Sequence, residues 1–212
     1  DGAERLRLEV GDYPGDLALE LAADTLYAGG TVLSLTSLST ATLSVPTLYG
    51  SQEIPRQIVR DTRRERLYAV AFNGVPGSNG GSVVTRLGPQ GAELDAPAPG
   101  RLSVIDLLYD EDSDRFFSTN GRMGTFGLQV SDGEDCRELL YLPLAGHPVA
   151  LALDSATHHL WLALQSSDVA DGRTVTELIA WDTRSLGEAA RLRIDGAVSS
   201  IAVDEARMRA EL

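Results

Sequence analysis

Short apolar runs, each closed by an acidic residue and a polar turn, recur along the chain. Pro148 to Leu153 is such a run, and Asp154 closes it. Asp154 to His159 then read as a turn, Leu160 to Leu164 as a second strand, and Gln165 to Arg173 as a polar loop. Thr174 to Asp182 form a third strand, Thr183 to Gly187 a turn, and Ala190 to Ile194 a fourth. Runs this short, bounded by turn residues, are strand signals. The second copy reads the same way: Pro55 to Arg60, a turn from Asp61 to Arg66, Leu67 to Phe72, a glycine-rich loop, then Ser82 to Leu87. Proline opens that strand, where its missing N–H costs least. Only the chain end after Asp204 has helix-forming composition.

The runs repeat at a fixed spacing. An acid that closes a run is followed six positions later by an apolar pair: Glu20 by Leu26-Tyr27, Asp61 by Leu67-Tyr68, Asp110 by Phe116-Phe117, and Asp154 by Leu160-Trp161. Asp204, after Ile201-Ala202-Val203, opens a fifth copy, but Ala210 breaks the match. A period of roughly 40–50 residues with several short strands per unit is that of a propeller blade. The expected fold is all-β, a β-propeller of four-stranded antiparallel blades with strands A to D. The blades fall at 15–50, 51–100, 101–146 and 147–196, with a partial blade from 197–212 together with 4–10. The partial blade rests on the likeness of Arg5-Leu6-Arg7-Leu8-Glu9-Val10 to Arg191-Leu192-Arg193-Ile194-Asp195. Residues 1–212 then make one domain: a segment of a larger propeller, a small ring with an unusual closing blade, or a series whose gap is covered by a C-terminal helix. The recurring acid has a structural task at the end of strand A, where its carboxylate accepts backbone N–H bonds and holds the A–B turn. A group repeated at one place in every blade is not read as catalytic.

Composition adds exclusions. The 212 residues are 43% hydrophobic with 21 Gly and 9 Pro, enough for a core and for many tight turns. No run approaches the roughly 18 apolar residues that span a bilayer, and no basic stretch leads an apolar one as in a secretory leader. The net charge is −13 and the pI about 4.6, which disfavours a nucleic-acid partner. All 18 basic residues are arginine, read as codon bias rather than chemistry. Cys136 is the only cysteine, so no internal disulfide forms. Its acidic surroundings, Asp132 to Glu138, argue against an activated thiol.

The fourth copy, with His147-Pro148-Val149-Ala150-Leu151-Ala152-Leu153-Asp154, Leu160-Trp161-Leu162-Ala163 and Ala180-Trp181-Asp182-Thr183, resembles the YVTN-type propeller repeat. So does Leu67-Tyr68-Ala69-Val70 of the second copy. The resemblance implies rings of four-stranded blades, frequent on extracytoplasmic or cell-surface proteins. Some relatives are lactone hydrolases and others only bind, and the hydrolases' metal-ligand set is not found here. Trp181-Asp182 is similar to the dipeptide of WD40 repeats, but no Gly-His pair precedes each blade.

On a propeller the B–C and D–A connections share one end, and loops that vary on a fixed scaffold carry binding. The B–C loops read as Asn73 to Gly81, Asn120 to Thr125 and Gln165 to Arg173. The D–A connections read as Pro46 to Ile54, Asp95 to Gly100, Pro143 to His147 and Asp195 to Val198. The expected binding residues are Asn73, Asn79, Asn120, Arg122, His147, Gln165 and Asp168. Asp110-Glu111-Asp112-Ser113-Asp114 has the alternating acids of a calcium loop, but Arg115 stands where the loop needs glycine and no glutamate closes it. No cofactor is therefore expected, with calcium the one candidate. Gly77-Ser78-Asn79-Gly80-Gly81 precedes no lysine and no helix pattern, so it reads as a loop tip and not a P-loop. Gly-x-Ser-x-Gly and His-Glu-x-x-His are absent. The expected function is non-enzymatic binding of a protein or small-molecule ligand. The alternatives are a lactonase-like hydrolase working through His147 and Asp168, or a structural segment of a cell-surface assembly.

Overall fold

The structure is a computed structural model that describes residues 17–20, 25–28, 31–34, 40–42, 45–46, 52–53, 55–72, 82–88, 91–93, 98, 104–122, 125–167 and 172–203. The first sheet comprises β1 (Leu17–Glu20), β2 (Thr25–Ala28), β3 (Thr31–Ser34) and β4 (Thr40–Thr42). A two-stranded ribbon, β5 (Val45–Pro46) and β6 (Gln52–Glu53), follows it. The second sheet comprises β7 (Pro55–Asp61), β8 (Arg66–Phe72), β9 (Ser82–Gly88) and β10 (Gly91–Glu93). The third comprises β11 (Val104–Asp110), β12 (Arg115–Arg122), β13 (Thr125–Asp132) and β14 (Glu138–Leu144). The fourth comprises β15 (His147–Asp154), β16 (His159–Ser167), β17 (Thr174–Asp182) and β18 (Glu188–Asp195).

Within every four-stranded sheet, neighbours in sequence are neighbours in space and run antiparallel. The A strands β1, β7, β11 and β15 touch in succession, so the sheets stack like blades around their first strands. The series stays open among the described residues. Ser199–Val203, where the sequence pattern places a fifth A strand, pair with no strand. Its expected companion at 5–10 lies outside the described residues, as do 204–212.

The recurring acid does what its position demands. Asp61, Asp110 and Asp154 are at most 1% exposed. Asp61 Oδ1 accepts from the Arg64 N–H at 3.1 Å, and Asp110 Oδ1 from Asp112 N–H at 3.2 Å. Asp154 Oδ1 accepts from Ala156 and Thr157 at 3.1 and 3.2 Å. Four residues past each acid the chain turns left-handed: Glu65, Asp114 and His158 have φ of 53°, 54° and 59°. The next residue starts strand B, which explains the constant spacing to the apolar pair. The C–D turns copy the device. Asp132 Oδ1 accepts from Glu134 at 2.9 Å and Asp182 Oδ1 from Ser185 at 2.6 Å. Cys136 and Leu186, again four residues on, have φ of 59° and 57°.

Alternation along the B strands builds the seams between sheets. Tyr68 and Val70 face the third sheet and pack with Val104, Leu107, Tyr109 and Phe116. Tyr68 meets Phe116 edge-on at 4.7 Å between ring centroids. Ala69 and Ala71 share a separate cluster with Leu87. Phe117, Leu128 and Val130 face the fourth sheet and pack with Leu151, Leu160, Leu162 and Ile179. Burying each such side chain contributes about 1.5–3 kcal/mol. In the apolar pairs of the second and third sheets, the second residue therefore looks toward the next sheet.

The D–A connection read as Pro143 to His147 shrinks to two residues, because β14 runs through Leu144 and β15 starts at His147, and two B–C loops shorten likewise. β12 continues through Arg122 and β16 through Ser167, because the ladder to the following strand goes on: Arg122 opposes Thr125, and Ser167 opposes Thr174. Asn120 and Gln165 are consequently strand residues. Their polar side chains broke the apolar run, but pairing depends on backbone groups that every residue carries.

Candidate functional site

The two ends of the sheets are built differently. The A–B and C–D turns share one end, where they bond to each other: Gly133 N–H donates to Asp114 O at 2.9 Å and Thr183 N–H to His158 O at 2.8 Å. Polar clamps join successive sheets here. Arg64 lays its guanidinium fork on Asp114, with bonds of 2.9 and 2.7 Å, and also donates to Asp61 at 3.1 Å. Tyr109 donates its hydroxyl to Asp114 Oδ1 at 2.8 Å. The Arg64 guanidinium, with help from the Tyr109 hydroxyl, holds the Asp114 carboxyl at about 2. Burial pushes the Tyr109 hydroxyl well above its ordinary value, and its bond to Asp114 adds to that. Thr62 bonds Glu111 across the same seam. Arg115 reaches the fourth sheet's C–D turn, donating to Thr183 O at 2.7 Å and Arg184 O at 3.2 Å. Arg66 makes the matching reach to Glu134 O at 3.4 Å.

The acids of the calcium-like run serve these clamps separately. Asp110 holds its own turn, Asp114 faces Arg64, and Asp112 lies 3.5 Å from His158 Nδ1. Among the described residues no three His, Cys, Asp or Glu side chains converge as a metal site, and no helix is long and apolar enough to cross a membrane.

The inner strands carry a second polar seam that the sequence reading missed. The A strands of the second to fourth sheets slip register near their starts, at Pro55/Gln57, Val104/Asp106 and Pro148/Ala150. In the second and third sheets the residue after the slip reaches the next A strand. Gln57 takes the Leu107 N–H on Oε1 at 3.1 Å and donates to Leu107 O at 3.0 Å and Asp106 Oδ1 at 2.7 Å. Asp106 Oδ2 accepts the Leu151 N–H at 3.2 Å. Only the similar place of Gln57 and Asp106 in successive copies could have flagged them.

At the opposite end lie the B–C and D–A connections. His147 and Gln165 face each other across β15 and β16 in one register row, continued by Thr176 and Ile194. The exposed His147 ring stands edge-on to Phe126 of the third sheet, 4.5 Å between centroids. Gln165 donates to Val198 O at 2.7 Å, and Thr176 to Gly196 O at 2.7 Å, which holds the chain as it leaves the fourth sheet. Gly196 has φ of 130°, a turn that side chains resist. One row further out, a cavity of about 600 Å³ opens among Arg173, Thr174, Val175, Arg193, Asp195 and Gly196.

The expected binding residues are thus divided. The structure brings His147 and Gln165 together. Asn120 is 4% exposed and donates to Gln129 Oε1 at 2.8 Å, so it is turned into its own sheet. Arg122 ends β12 at the loop end. Asn73, Asn79 and Asp168 lie outside the described residues. Cys136 is half-buried on the turn end of the third sheet, 3.8 Å from the Tyr68 hydroxyl. Its thiol is pushed up chiefly by burial, with Asp135 only a small contributor, so the acidic neighbours matter less than the sequence implied.

No protein-family profile matches the chain, and no curated protein matches it. Solved structures do. A gluconolactonase of Xanthomonas campestris superposes with a TM-score of 0.57 at 15% identity, covering 88% of this chain and 64% of that one. This chain therefore spans less than two thirds of that protein's length. A chain of the nidogen–laminin complex gives a TM-score of 0.47 at 13% identity, covering 84% of this chain and 79% of that one. Likeness at such identity is one of fold, and the fold is a series of four-stranded antiparallel sheets of the β-propeller kind.

Proposed function

We propose that the chain is a non-enzymatic binding module whose ligand or protein partner docks at the end formed by the B–C and D–A connections. The observation that carries this reading is the contrast between the two ends. At the turn end, charged side chains are spent on clamps between sheets. At the loop end, exposed His147 stands beside Phe126 on the inner strand, and across the sheet a cavity bordered by Arg173, Arg193 and Asp195 opens on the two outer strands. Concave sites with a few polar groups on a rigid scaffold are where ligands bind. Amide NMR shifts recorded against a small-molecule fragment library test it. Shifts confined to residues 147, 165, 174–176 and 193–197 are expected, and shifts confined to the A–B turns would overturn it.

A second reading, a lactone hydrolase, draws on the fold shared with the gluconolactonase. It relies on His147 and Asp168. Turnover of D-glucono-1,5-lactone that is lost in His147→Ala would favour it and sink the binding reading.

A further inference from the structure

Both described seams are centred on the second residue of the apolar pair, Tyr68 in the second sheet and Phe117 in the third. The face of the third sheet that receives the fourth is built from Phe117 on β12, Val130 and Leu128 on β13, Leu140 and Leu142 opposite those two on β14, and Leu144 opposite Phe126. The fourth sheet repeats this set place for place. Trp161 stands for Phe117, one residue into the apolar pair. Ala180 opposite Ala190 stands for Val130 opposite Leu140, and Leu178 opposite Leu192 for Leu128 opposite Leu142. Ile194 stands for Leu144, and even the slip before the C–D turn recurs. Yet Trp161, Leu178, Leu192 and Ile194 join no hydrophobic cluster among the described residues. Leu192 is 57% exposed, whereas its counterpart Leu142 is packed against the core.

We propose that this outward face of the fourth sheet receives a further four-stranded sheet of the same repeat, carried by the same polypeptide beyond these 212 residues. The face continues an interface already built twice, which favours a sheet of this kind over an unrelated partner. The fold match leaves more than a third of the gluconolactonase without a counterpart, room for further sheets in one array. The new seam has its own chemistry. Ala150 stands where Gln57 and Asp106 grip the next inner strand, and His159 where Arg66 and Arg115 reach the next C–D turn. Apolar contact around Trp161 therefore dominates it, and this seam opens more readily than the two before it.

The test compares the 212-residue chain with a version in which residues 147–196 are duplicated in tandem. The fourth unit itself is the one known to seat on such a face. Both versions carry Trp181→Phe, and the added copy also carries Trp161→Phe, so emission reports the first Trp161. Iodide quenching of Trp161 is expected to fall severalfold on adding the unit, with a higher urea midpoint and one cooperative transition. Unchanged quenching, or an added unit that melts separately, overturns the proposal. So does a parent chain that sediments as a dimer and becomes a monomer with Leu192→Arg, since the occupant is then a second copy. A monomeric parent whose Trp161 is already shielded overturns it as well, because the chain's own residues then cover the face.

Discussion

Asp114→Asn isolates the charge that locks the second sheet to the third. Asp114 is left-handed, with φ of 54°, and asparagine tolerates that conformation, so the substitution spares the backbone. The native carboxyl sits at about 2 against an ordinary 3.8, with Arg64 the main cause and Tyr109 assisting. Linkage converts that difference into at most about 2.5 kcal/mol. The side chain is 29% exposed, so solvent screening reduces the expected cost at neutral pH to about 1–2 kcal/mol. The sign follows from a depressed folded value. The stabilisation is complete above the unfolded value near 4 and is lost as the pH falls toward 2. Urea denaturation of parent and variant, followed by tryptophan emission across pH 7 to 2, should show a gap that is widest at pH 7, narrows below about pH 4 and nearly closes at about pH 2. A gap that stays constant down to pH 2, or no gap at pH 7, refutes the argument that the Arg64–Asp114 pair stabilises this seam.

Three more outcomes are expected. Asp154→Ala strands the Ala156 and Thr157 N–H groups and the Thr157 hydroxyl. It should cost roughly 2–4 kcal/mol in urea melts, whereas Asp195→Ala, at a 93% exposed side chain, should stay within about 0.5 kcal/mol. Equal costs would mean that the buried acid does not hold its turn. A Cβ on Gly133 would fall 2.1 Å from Asp114 Oδ1 and 2.7 Å from the Asp114 carbonyl. Gly133→Ala should therefore destabilise by about 1–3 kcal/mol, read as a drop in melting temperature, and an unchanged melt would rule that contact out. Cys136, its thiol raised by burial, should react with iodoacetamide at pH 8.5 far more slowly folded than in urea. Equal rates would place it in solvent.

The sequence by itself determined the local grammar of this protein. The acid-to-apolar-pair spacing located the A–B turns, because one carboxylate, one left-handed residue and the start of the next strand all lie within six positions. Which residue of each pair faces the next sheet came only with the packing of Tyr68 against Phe116 and of Phe117 against Leu160. What only the tertiary structure decided is how the units hold each other. Gln57 meets Asp106 across 49 residues and Arg64 meets Asp114 across 50, and nothing local to either partner marks the pair. The same holds for the candidate site. His147 and Gln165 were legible as residues near a connection, but their placement opposite each other depends on strand register. Asn120 looked like a loop residue and is buried, because the backbone ladder runs on through polar side chains. Strand ends follow hydrogen-bond pairing, which a neighbouring strand supplies and a local pattern does not.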